Sequence, residues 1–134
     1  MPAYDVAAVA EALGVPAKQA DNILSRHTLP GVERKRRGVS RRIAPEAVVT
    51  LAITLELRDA LGLTIPSAIG VAMALREHGG VLDLGSFGRI SVDLDALHAS
   101  TIARLDAAVE AVGRRARGRR PKRRGPADAV DAVV

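Results

Sequence analysis

Apolar residues recur along this chain at helical spacing in some stretches and alternate with polar ones in others. Val6, Val9, Ala10 and Leu13 fall at the i, i+3, i+4, i+7 positions of an amphipathic helix. Asp5 is placed to cap that helix and Gly14 to stop it. Pro16 suits the first turn of a second helix running to about Arg26, with Ala20, Ile23 and Leu24 inward and Lys18, Gln19, Asn22 and Arg26 outward. A third helix opens at Ala44-Pro45-Glu46. Its stripe of Val48, Leu51, Ala52 and Leu55 is widened by Val49, Ile53 and Leu57, which predicts a central, buried helix closed by Gly62. Thr64 caps a fourth, Ile65 to Glu77, with Ile69, Ala72, Met73 and Leu75 facing inward or toward a partner, and His78-Gly79-Gly80 ends it. A last helix is predicted from a cap at Asp95 to about Val112.

Two stretches read as β-hairpins. Val32–Lys35 and Val39–Ile43 can pair around Arg36-Arg37-Gly38, and a charged loop is the alternative for this segment. In the second, Val81–Leu84 and Arg89–Leu94 flank Gly85-Ser86-Phe87-Gly88, and Ile90, Val92 and Leu94 alternate with Ser91 and Asp93. No Lys-Ser/Thr or helix start follows these glycines, so a phosphate loop is not supported.

Charge changes the picture more than composition does. The net charge of +5 is unevenly spread: −2 over residues 1–25, +6 over 26–42, −5 over 43–113, +8 over 114–125 and −2 over the last nine residues. Two basic blocks on an acidic body are the sequence signature of a nucleic-acid contact surface. The first holds Arg34, Lys35, Arg36, Arg37, Arg41 and Arg42 against the single acid Glu33. With one Tyr, one Phe and no Trp, base stacking on aromatic platforms is not available, which argues against single-strand and RNA modules of that type. There is no Cys, and His27, His78 and His98 share no metal-ligand spacing, so neither a metal site nor a cofactor is expected. No Ser–His or paired-carboxylate arrangement suggests catalysis, and an enzyme is not expected. No secretory signal or membrane-length apolar run is read in the chain, so a soluble, cytoplasmic, nucleoid-associated protein is expected.

The order of these features resembles the winged helix-turn-helix DNA-binding domain of MerR-type transcriptional regulators. The resemblance covers about residues 4–75. It is carried by Tyr4-Asp5, a short helix, Gly14-Val15-Pro16, a polar second helix, Leu29-Pro30, the basic ribbon, Arg42-Ile43-Ala44-Pro45-Glu46, an apolar helix and Leu61-Gly62-Leu63-Thr64-Ile65. It implies that the second helix enters the major groove with Lys18 and Gln19 at its start, and that Arg42 lies on the return strand of the wing. Asp21 departs from the family, which usually places a phosphate-contacting arginine there. The long coiled-coil helix and effector-binding cysteines of many members are absent, so metal or redox sensing does not carry over, and no small-molecule effector is evident.

The expected fold is therefore mainly α: a winged helix-turn-helix with a basic β-hairpin wing over residues 1–78, a second β-hairpin and C-terminal helix over 79–113, and a disordered basic tail over 114–134. Ile102, Leu105, Val109 and Val112 recur at a/d spacing, a seam that either packs on its own domain or makes a homodimer. In the tail, Arg117-Gly118-Arg119-Arg120-Pro121 resembles the AT-hook core with one extra arginine, and non-specific phosphate binding is the alternative. The expected function is a sequence-specific regulator of double-stranded DNA. Its candidate contacts are Lys18, Gln19, Asn22, Arg26, Arg34, Lys35, Arg36, Arg37, Arg41, Arg42, Arg117, Arg119 and Arg120. The alternatives are an architectural or excisionase-like DNA-bending factor and, further off, an RNA-associated adaptor.

Overall fold

The computed structural model describes residues 3–33 and 41–118. The fold is mainly helical, with a small antiparallel sheet: α1 (Val6–Leu13), α2 (Ala17–Arg26), α3 (Pro45–Leu61), α4 (Ile65–Glu77), β1 (Val81–Asp83), β2 (Arg89–Ser91) and α5 (Leu94–Gly118). A short 3-10 turn, Gly85–Phe87, joins β1 to β2.

The helix ends follow local chemistry. Asp5 caps α1 by accepting the Ala8 N–H at 2.9 Å, and Gly14 closes it in the left-handed conformation that a side chain would resist. Thr64 caps α4 by accepting the Ser67 N–H at 3.3 Å. The last helix differs from expectation at both ends. Asp93, not Asp95, caps it, accepting the Ala96 N–H at 3.0 Å. It also runs on to Gly118, so residues 114–118, expected to be disordered, are helical. The extension has a tertiary anchor, an ion pair between Arg115 and Glu11 of α1. Arginines also suit the negative end of a helix dipole.

α3 is the central helix, as its wide apolar stripe predicts, and it divides the core in two. Ala47, Val48, Leu51 and Leu55 pack with Tyr4, Ala8 and Val9, with Ile23 and Leu24 of α2, and with Leu105 of α5. Val49, Ile53 and Leu57 pack with Ala68, Ala72 and Leu75 of α4, against which Leu82, Ile90 and Leu97 settle. Thr50 and Thr54, buried in α3, return their hydroxyls to the carbonyls of Glu46 and Thr50. Thr101 of α5 is also buried, and its hydroxyl has no partner among the described residues.

The second hairpin forms in the expected place, with Val81 opposite Ser91, Leu82 opposite Ile90 and Asp83 opposite Arg89, but its strands are shorter than alternation predicts: β2 ends at Ser91, and Leu94 opens α5 instead of closing the strand. Gly80 fits beneath it because a side chain there would strike the Val92 carbonyl.

The face that α5 turns inward departs from the expected seam. Leu105 lies wholly within the chain's own core, flanked along the helix by buried Thr101 and Ala108. Ile102 is only half-buried and Val109 is 49% exposed. Small side chains at 101 and 108 permit close approach to the body, which rotates the larger apolar residues at 102 and 109 to the flank. Leu105 is thus not available to a second copy.

Candidate nucleic-acid interface

α2 buries Ala20, Ile23 and Leu24 and exposes Lys18, Asn22 and Arg26 on the opposite side. These three are four residues apart, so they form one row along the helix. Gln19 is not in that row. It is half-buried and lines a groove of about 580 Å³ with Leu13, Pro16, Glu56, Asp59 and Arg104. Pro16 precedes α2 without capping it, so no side chain covers the first N–H groups of the helix beside Lys18.

The described part of the basic segment is its base. Ile43 is bridged on one side to Tyr4, by two hydrogen bonds of 2.8 Å, and on the other to Val32. The Glu33 N–H donates to the Arg42 carbonyl and the Ala44 N–H to the Gly31 carbonyl, each at 2.8 Å. The expected pairing of the two arms is therefore present at Val32–Glu33 against Arg42–Ile43. Gly31, at φ +91°, makes the turn from α2 into the ribbon, where a Cβ would crowd Glu46. Arg34, Lys35, Arg36 and Arg37 lie outside the described residues, as do Arg119 and Arg120.

The two arginines at the base serve different ends. Arg41 Nη1 pairs with Asp21 of α2 at 2.9 Å, and Arg41 Nη2 donates to Ser25 Oγ at 3.4 Å. The side chain of Arg41 is only 11% exposed and that of Asp21 43%. Asp21 thus ties the base of the basic segment to α2. Arg42 is exposed and donates to the Ala3 carbonyl at 3.0 Å, which leaves its positive charge without an acidic partner among the described residues.

Arg41 lies between the two ends of the α2 row. One cleft, about 390 Å³, is lined by Asp5, Lys18, Asp21 and Arg41, and another, about 250 Å³, by Ser25, Arg26, Glu33 and Arg41. Sequence reading missed the Asp21–Arg41–Ser25 strap. Its only signal is an acid and a hydroxyl at i, i+4 on the flank of a polar helix, followed by a cation-rich segment.

Arg117 is exposed on the last turn of α5. Among the described residues no group of three or more His, Asp or Glu could hold a metal ion, and no helix is long and apolar enough to cross a membrane. The phenol of Tyr4 is shifted above its ordinary pKa by burial and, secondarily, by the Asp106 carboxylate, to which its hydroxyl donates at 3.3 Å. Compared with protein-family models, with curated proteins and with solved structures, the chain matches none.

Proposed function

We propose that this chain is a sequence-specific regulator that binds double-stranded DNA through a winged helix-turn-helix, α1 and α2 being the helical pair and residues 32–43 the wing. One observation carries the reading. α2 exposes a row of Lys18, Asn22 and Arg26, and the same helix is strapped through Asp21 and Ser25 to Arg41 at the root of a cation-rich segment. Forked donors and amides of this kind match base edges in the major groove, while the arginines of a wing neutralise phosphates beside it.

In this arrangement Lys18, Asn22 and Arg26 read bases, and Arg34, Lys35, Arg36, Arg37 and Arg42 hold the backbone. Arg41 acts as a positioning residue that fixes the angle between wing and helix. Gln19, turned into the groove beside α3, contributes to the body rather than to base reading. Arg117, Arg119 and Arg120 add contacts from the C-terminal segment, along the phosphates or in the minor groove.

The test is equilibrium binding to duplex DNA across a salt series. Each phosphate contact contributes about −0.9 to the slope of log affinity against log salt. Neutralising Arg36, Arg37 and Arg42 together should flatten that slope for every sequence. Asn22→Ala should instead reduce the difference between preferred and unrelated sequences and leave the slope unchanged. Uniform loss of affinity from both variants would refute the assignment of α2 as the reading helix.

A further inference from the structure

The hairpin β1–β2 turns Leu82 and Ile90 toward the core and leaves its other face open. That face carries Val81, 41% exposed, and the in-register pair Asp83 and Arg89, and the turn beyond the strands exposes Leu84, 45%, and Phe87, 93%. A phenylalanine so fully in water is unusual, and exposed apolar groups rimmed by charge mark association surfaces. Asp83 and Arg89 stand side by side, and neither is ion-paired among the described residues.

We propose that this face is where two copies of the chain associate, the hairpins packing face to face about a two-fold axis parallel to their strands. The charges decide the geometry. Rotation about that axis lays β1 of one copy over β2 of the other with both tips at the same end. Asp83 then faces Arg89 of the second copy, Arg89 faces Asp83 of the second copy, and the exposed Phe87 of each tip lies at the same end, within reach of the other. A two-fold axis perpendicular to the strands would set β1 over β1, leave both charges unmatched and send the Phe87 rings to opposite ends. Only the first arrangement is self-complementary, as a symmetric interface must be. Of the expected α5 seam, Leu105 is spent in the chain's own core, which leaves Val109, 49% exposed, without it. The proposal does not depend on the nucleic-acid reading. An interface this small belongs to the weak class, so association at about micromolar concentration or above is expected.

The test is sedimentation equilibrium of the full chain over a wide concentration range, with melting curves taken on each variant in dilute solution. The wild type should pass from monomer to dimer. Phe87→Ser should weaken the dimer at least about tenfold without lowering the melting temperature, because the ring is almost wholly exposed in the single chain. Arg89→Glu and Asp83→Lys should each weaken it as well, and an equimolar mixture of the two should associate as tightly as the wild type. The Asp83 carboxylate also accepts the Gly85 N–H at 2.8 Å, so Phe87→Ser decides the matter where Asp83→Lys disturbs the turn. A wild type that stays monomeric throughout, or a Phe87→Ser protein that dimerises unchanged, would overturn the proposal. So would a mixture of folded charge variants that associates no better than either alone.

Discussion

Truncating Leu105 to alanine separates an internal role for α5 from an intermolecular one. The side chain is fully buried among Tyr4, Ala8, Val9 and Leu51, in a contact whose other α5 members, Thr101 and Ala108, are too small to move in and fill a gap. A buried Leu→Ala change costs about 2–5 kcal/mol, rising with the cavity left behind, and this site should fall near the middle, about 3–4 kcal/mol. At about 3–5 °C per kcal/mol for a chain of this size, the melting temperature should drop by about 10–15 °C. Val109, one turn on, is 49% exposed. For Val109→Ala a small loss of apolar burial is offset by alanine's better helix propensity, and the net change should lie within about 0.5 kcal/mol. Urea unfolding of both variants at several protein concentrations is the assay. A Val109→Ala cost as large as that of Leu105→Ala, or a Leu105→Ala loss that shrinks at high protein concentration, would refute an internal role for Leu105.

The remaining predictions probe smaller features. Thr101→Val removes a buried hydroxyl without a described partner and keeps the shape, so it should stabilise by about 1 kcal/mol, read as a raised urea midpoint. Tyr4 ionises less readily when folded than its ordinary value near 10. Its contribution to stability is therefore present below about pH 10 and lost as pH rises toward the folded-state value, because the unfolded chain gives up that proton first. Tyr4→Phe should remove that alkaline loss, measured by urea unfolding between pH 8 and 11, while forfeiting about 1 kcal/mol for the bond to Asp106. Asp21→Ala should destabilise the chain by leaving Arg41 nearly buried without its counter-charge. Asp21→Ala and Arg41→Ala combined should cost less than the sum of the two, a coupling of about 1 kcal/mol in a double-mutant cycle.

The helical body was readable from the chain because its signals are local. Val48, Val49, Leu51, Ile53, Leu55 and Leu57 cannot share one face, so α3 had to be surrounded, and Asp5, Gly14 and Thr64 mark ends by caps that need no tertiary partner. The second hairpin followed from alternation and its flanking glycines. The features that local pattern does not reveal depend on distant contacts or on small residues. Arg114 to Gly118 carry no apolar pattern, and their helix is anchored by Glu11, far away in sequence. The inward stripe of α5 uses Thr101 and Ala108 for closeness, whereas a reading weighted by size selects Ile102 and Val109. At the candidate interface, Lys18, Asn22 and Arg26 were visible as the outward row of α2. That Gln19 lines a groove beside α3 follows only once α2 is packed on the body, and that Asp21 takes up Arg41 only once the base of the basic segment lies against α2.

Whether α2 reads DNA sequence is decided by selecting bound sequences from a random pool of duplex DNA, in parallel with the full chain, with residues 1–118 alone and with the Asn22→Ala variant. A defined motif is expected for the full chain, the same motif at lower affinity for residues 1–118, and a motif degraded at one or two positions for Asn22→Ala. A pool that enriches no motif, or a motif unchanged by Asn22→Ala, would rule out base reading by α2.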